Sequence, residues 1–466
     1  MTSRRRSDKP GAAPHLTADE VKVIQDAFAR RRRAGSYEPG KWAVSHYNRM
    51  PDVLGAAYPD HYPDRVTIRD ITLRVIEQAP GVTVDQAQRR RIGEALLDAG
   101  VRDIEVSAHG WGMSEEELRQ EVAHLKSLRP DLQVKMGATQ TEAMVDSAAA
   151  AGVTLAEFWM PALPAVTPIY WSEAYRVAWE GRDWRQIGIP MTLDEEIDRA
   201  RQLTARIKSH GLQASAGINL LTLVDDEHIE RYCEAVVHAG VDQIWLSDGP
   251  AGIAPEGWNH IVGLVRKHAP TQRIGTYIRD TFGLAVATSL AAVHAGADII
   301  EASVNGISAT AGQVDLAQLA VALEVLYGVR TGIDLSKLTS LSRLVEDISG
   351  VRISDAHAVT GRGTHNWGGT EIVVQELKVE PLLHWVYEPE LVGGEKQWIV
   401  NRTSGMWTLQ DKLHLLDLAL PRERMRPTWS RIVNEMVVRR RALSNDEIRT
   451  IALEEGATQL PETEAD

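Results

Sequence analysis

The sequence predicts a parallel α/β barrel, on three observations. From Val66 onward, short apolar runs near 66–74, 102–107, 131–138, 155–161, 212–219, 242–248, 273–280 and 297–304 alternate with helical patterns. Ala99-Gly100-Val101, Ala151-Gly152-Val153, Ala239-Gly240-Val241 and Ala295-Gly296-Ala297 each close a helix with glycine and re-enter a strand. A chain of 466 residues holds a barrel of about 250 residues with flanking parts. Eight units in this rhythm make a TIM (β/α)8 barrel with an N-terminal arm and a C-terminal helical subdomain. Its chemistry is expected at the carboxyl ends of the strands.

Residues 1–15 are polar, basic and rich in breakers, so a disordered tail is expected. Residues 16–65 read as a helix opened by the Thr17/Glu20 capping box, then an aromatic arm packed on the barrel. The run Arg30–Arg33 is read as a solvated helix end. The barrel spans 66–330 and is interrupted at 162–192 by a Trp-rich insertion, either a cap over the site or an extra packed helix. A linker subdomain over 331–409, helices over 410–456 and an acidic tail over 457–466 complete the chain.

The net charge of −13 argues against nucleic-acid binding, which needs a basic face. A single cysteine, Cys233, excludes a disulfide framework and a multi-cysteine metal site, and it fits the cytoplasm. No apolar run reaches the roughly 18 residues of a membrane span.

The first strand and its exit read VTIRDITLRVIEQAPGV, Val66 to Val82. Asp70, Thr72, Leu73, Arg74 and Gln78 resemble the D-x-T-L-R-D-G-x-Q strand of the pyruvate-carboxyltransferase-like (DRE-TIM) metallolyases. The superfamily includes isopropylmalate, homocitrate and citramalate synthases and hydroxymethylglutaryl-CoA lyase. The resemblance implies an arginine that polarises a 2-oxo acid, but Val75 stands where the family has a metal-binding aspartate. Glu105 matches the glutamate of the family's I-E-V phrase, able to move a proton or orient Arg74. The seventh strand resembles the family's H-x-H-N-D-x-G-L-A, yet Tyr277 and Arg279 occupy the histidine positions. Gln313 replaces an asparagine farther on, while Asn305 is kept. With all three protein ligands replaced, no divalent metal is expected. The exchange roughly conserves charge, because a dication with one carboxylate and Arg279 with Val75 each leave about +1.

Further candidates are Lys135, Thr139, Asp248 and His365. A period of two sends Lys135 and Gly137 into the barrel, although a lysine snorkelling between helices is preferred. Asp248, at the end of the sixth strand, can orient the pocket arginines. His109 is read as a loop histidine. His365 lies in GRGTHNWGGT, where the resemblance implies a catalytic histidine, often from a partner subunit. Tyr387 to Gly405 resembles the segment after the synthases' barrel, which implies a homodimer through the C-terminal region.

Three readings stay open. One is a metal-free enzyme that makes or breaks a carbon–carbon bond in a 2-oxo acid or related small carboxylate. It would use Arg74 and Arg279 for electrostatics and Glu105, Tyr277 or His365 for protons, with Gln78, Lys135, Thr139, Asp248 and Asn305 around the substrate. No cofactor is expected, and a coenzyme A thioester is left open as co-substrate. The second reading forms a Schiff base on Lys135, and the third is an inactive paralogue that binds a ligand or regulates.

Overall fold

The computed structural model describes residues 16–30, 36–50, 62–107, 113–161, 192–367 and 371–460. The tail over 1–15, the Trp-rich insertion over 162–191 and the loop with His109 lie outside the described residues. The chain divides into two compact units. One comprises residues 47–354 and 358–360, the other residues 1–46, 355–357 and 361–466.

The larger unit is the TIM barrel. Its eight parallel strands are β1 (Thr67–Asp70), β2 (Asp103–Val106), β3 (Gln133–Met136), β4 (Leu155–Pro161), β5 (Gln213–Asn219), β6 (Gln243–Asp248), β7 (Arg273–Ile278) and β8 (Ile299–Ala302). They pair in chain order and close through β8 on β1. The helices between them start where the sequence supplies a cap. Asp85, Ser114 and Thr192 each form a reciprocal capping box ahead of α1 (Gln86–Asp98), α2 (Glu115–Leu128) and α4 (Leu193–Ser209). Thr141 caps α3 (Glu142–Ala151), and Asp225 caps α5 (Asp226–Ala239). Helices α6 (Pro255–His268) and α7 (Ala285–His294) follow β6 and β7. Gly152 and Gly240 end α3 and α5 at positive φ, as the repeated Ala-Gly phrase requires.

The first strand is shorter than its apolar pattern suggested. It stops at Asp70, and Thr72–Val75 turn into a short helix, so Arg74 stands on a turn rather than on the strand.

The second unit gathers both ends of the chain. The helix Ala18–Arg30 begins at Thr17, whose backbone N–H donates to Glu20 (2.7 Å). Gln25 donates to the carbonyl of Val379 (2.7 Å), Ala43 N–H to that of Val386 (2.8 Å) and Glu388 N–H to that of Lys41 (2.8 Å). Residues 16–46 thus belong to the C-terminal unit, whereas Tyr62, later in the expected arm, packs on the barrel with its ring stacked on that of Tyr327 at 4.3 Å. The core of this unit forms among α8 (Met406–Leu415), α9 (Arg422–Arg439) and α10 (Asn445–Glu454), on Leu409, Leu413, Ile432, Ile448 and Ala452. The start of the expected acidic tail is ordered as well, since Thr458–Gln459 pair antiparallel with Leu418–Ala419. No helix of the described residues is long and apolar enough to cross a membrane.

Candidate active site at the barrel rim

The rim is set by a chain of hydrogen bonds from Asp70. Its carboxylate accepts from Thr72 N–H and Thr72 Oγ1 (2.9 Å each), and Thr72 Oγ1 accepts from Val304 N–H (2.9 Å). The exits of β1 and β8 are thereby joined, and the turn carrying Arg74 is held. Burial pushes the Asp70 carboxyl up to about 7, against the two bonds from Thr72.

Arg74 reaches Glu105, Nε to Oε1 2.9 Å, and its guanidinium carbon lies 5.4 Å from the centre of the Tyr277 ring. Arg279 approaches the same ring at 5.6 Å. Burial disfavours the charge on Arg74, but Glu105 and Tyr277 more than offset this and hold it protonated. Its Nη1 is buried with no hydrogen-bond partner among the described residues. Arg279 donates to Ala309 O and Thr310 Oγ1 (3.3 Å each), neither of them a carboxylate. Its backbone bridges Gln313, whose side chain is buried with both amide atoms unpaired. Buried polar atoms in that condition are uncommon in folded proteins.

Beneath the rim the barrel is filled with charge. Lys135 Nζ lies 2.5 Å from Glu301, 2.7 Å from Glu157 and 3.3 Å from Glu105. Arg69 pairs with Asp103 (2.7 Å) and Glu301 (3.3 Å) and donates to Gln243 (3.1 Å). Trp245 lies 5.0 Å from the Lys135 ammonium and donates its indole N–H to Glu301 (3.0 Å). Burial alone would lower the Lys135 pKa, but Glu105, Glu157 and Glu301 raise it. Burial pushes Glu157 up to about 7 despite Lys135. The expectation of a snorkelling Lys135 is corrected: the lysine points inward and is fully enclosed. Gly137 makes room for this network, because a Cβ there would sit 2.5 Å from Glu105 Oε1.

Residues 181–345 match the family model HMGL-like. The chain is 29% identical to homocitrate synthase AksA of Methanopyrus kandleri over 86% of this chain and 93% of that protein. It is 26% identical to the 2-isopropylmalate synthase of Methanocaldococcus jannaschii over 80% of this chain and 68% of that protein. The HMG-CoA lyase of Bacillus subtilis shares the fold with a TM-score of 0.52 at 19% identity, covering 63% of this chain and 96% of that one. The barrel is similar to the HMGL-like family.

The other candidates of the barrel have their side chains committed elsewhere, Gln78 excepted. Thr139 donates through N–H and Oγ1 to Glu157 O (2.8 Å each), tying β3 to β4. Asp248 accepts from Thr222 Oγ1 (2.5 Å) and Gly252 N–H (2.7 Å), so it braces the loops after β5 and β6 and does not orient the arginines. Asn305, in the left-handed region at φ +58°, donates to Ser342 O (3.0 Å) and accepts from Ser342 Oγ (2.5 Å). Gln78 lies part-buried in the turn beyond Arg74.

His365 belongs to the C-terminal unit. It packs edge-on to Tyr387 (5.7 Å) and Trp385 (6.3 Å), and burial pushes its pKa down to about 4. Sequence reasoning missed Glu157 and Glu301. Each interrupts an apolar strand, and the same period of two that turns Lys135 inward turns them inward too.

The metal implied by the family does not fit these residues. Val75 has no donor atom, and two guanidinium groups lie 5.4 and 5.6 Å from the centre of the Tyr277 ring, where their charge opposes a cation. No group of three His, Cys, Asp or Glu among the described residues could hold an ion.

Proposed function

We propose that the barrel is an enzyme that makes or breaks a carbon–carbon bond beside the carbonyl or carboxylate of a 2-oxo acid or related small carboxylate, without a metal. The observation that carries this reading is the approach of Arg74 and Arg279 to one ring, each with donors not taken by a carboxylate. Two guanidinium groups bind a carboxylate in a fixed plane and stabilise negative charge developing on an adjacent enolate oxygen. In the cleavage direction a base takes the proton of a hydroxyl, the carbon–carbon pair moves onto the neighbouring carbonyl, and the resulting enolate rests against the arginines. Synthesis is the reverse, with a coenzyme A thioester proposed as the enolate source. Glu105 orients Arg74, and Tyr277 presents its ring to both arginines.

A Schiff base on Lys135 has no support, because that chemistry needs a neutral amine and this one is enclosed by three carboxylates.

The test is turnover of a panel of 2-oxo acids with acetyl-CoA, and of hydroxy acids alone, in excess EDTA. Activity is expected to survive chelation, and Arg279→Ala is expected to lower kcat/KM by about 10²–10³, the loss typical of a removed oxyanion donor. Activity abolished by EDTA and restored by manganese, or full activity in Arg279→Ala, would sink the proposal. Binding of a 2-oxo acid without turnover would instead favour a ligand-binding paralogue.

A further inference from the structure

The C-terminal unit holds a cavity of about 640 Å³, lined only by its own residues. The apolar part of the wall is Trp398, Val400, Leu416, Leu443 and Ile448, all members of buried cores. Set into this wall is Lys412, whose side chain is 8% exposed. Its ammonium donates one hydrogen bond among the described residues, to the backbone carbonyl of Trp398 (2.6 Å). The other charges on the wall are Lys396, which pairs with Glu388 at 3.0 Å and with Glu390 at 3.8 Å, and Glu395, while Asp411, next to Lys412 in the chain, pairs with Lys378.

A lysine in this position is expensive. An ammonium offers three N–H donors, and burying its charge beside a single neutral acceptor leaves most of the lost hydration uncompensated. Burial accordingly lowers its pKa, with no carboxylate among the causes to restore it. A buried cation without a counter-ion, facing a cavity of the volume that small ligands occupy, fits an anion that arrives from outside. The start of helix α10 at Ser444 and Asn445 lines the same cavity and adds its positive dipole end.

We propose that this cavity is a second binding site, for a small amphipathic carboxylate whose head group pairs with Lys412 Nζ and whose hydrocarbon body lies on Leu416, Leu443 and Ile448. The site is built from the C-terminal unit alone and does not depend on the reaction assigned to the barrel.

The test is calorimetric titration of the full-length chain with octanoate and with octanamide, which has the same body and no charge. Octanoate is expected to bind about tenfold more tightly or better, the margin of one charge-assisted hydrogen bond. Lys412→Met should remove that preference while leaving the melting temperature of the free protein unchanged or higher, since it deletes an uncompensated charge. Leu443→Trp, which fills the cavity and spares the lysine, should weaken both compounds, and Arg74→Ala should weaken neither. The inference is overturned if neither compound binds, if octanamide binds as well as octanoate, or if Lys412→Met or Leu443→Trp leaves octanoate binding intact. It is equally overturned if Arg74→Ala abolishes binding, which would place the carboxylate in the barrel.

Discussion

The barrel and the C-terminal unit bury charge in opposite ways. Inside the barrel Arg69 and Lys135 meet Asp103, Glu105, Glu157 and Glu301, so every buried cation faces carboxylates at hydrogen-bonding distance. The C-terminal unit also has a buried pair, Lys378 with Asp411, but it encloses His365 and Lys412 among aromatic and aliphatic side chains, where burial is the only cause of their lowered pKa. The difference teaches where ligands belong. A completed network stiffens a scaffold, whereas a cation left incomplete, as at Arg74 or Lys412, waits for a partner. Within the barrel the same contrast separates the satisfied floor from the rim.

The largest expected effect comes from breaking the floor. Lys135→Met leaves Glu157 without its cation and takes one partner each from Glu105 and Glu301, and should cost about 3–5 kcal/mol of stability, read from the urea midpoint. Adding Glu301→Gln should recover part of that loss, whereas an equal loss in the double variant would mean that Lys135 acts by shape alone.

Acid sharpens the comparison next. Asp70 has its pKa raised in the fold to about 7, so its contribution is fully present below its ordinary 3.8 and is lost as pH rises through about 7. His365 has its pKa lowered to about 4, so its contribution is present above 6.5 and is lost as pH falls through about 4. Between pH 6.5 and 4, acidification should therefore strengthen protection around β1 and weaken it around His365. Hydrogen exchange resolved by segment reads both trends. Asp70→Asn should flatten the first, worth at most roughly 1.4 kcal/mol per pH unit, and His365→Gln the second. Parallel trends in the two units would refute the contrast.

The smallest effect tests how floor and rim connect. Gly137→Ala places a methyl against Glu105 and should cost about 1–3 kcal/mol in overpacking. Because Glu105 holds Arg74, kcat/KM should fall as well. Unchanged kinetics in a destabilised variant would uncouple the two layers.

Much of the scaffold was legible because local rules write it. The caps at Asp85, Ser114 and Thr192 and the glycines after α3 and α5 are short-range chemistry, and strand alternation repeats every second residue. The candidate positions Arg74, Tyr277 and Arg279 were legible too, since each stands at a fixed offset from a recognisable phrase. The sequence was less informative about what each candidate touches. Thr139, Asp248 and Asn305 looked like substrate contacts, and the structure shows their side chains hydrogen-bonded to neighbouring segments.

By itself, then, the sequence determined an eight-stranded barrel and set Val75, Tyr277 and Arg279 where the resemblance implies metal ligands, because periodicity and residue identity are properties of the linear chain. Only the tertiary structure decided that Lys135 lies inside a cage of carboxylates and that both arginines face Tyr277. It alone brought residues 16–46 into the C-terminal unit and left Lys412 beside a cavity without a counter-ion. Those outcomes depend on partners as many as 354 residues away, such as Val379 for Gln25 and Glu301 for Lys135. Charge interactions depend on distance in space, which a linear pattern does not record.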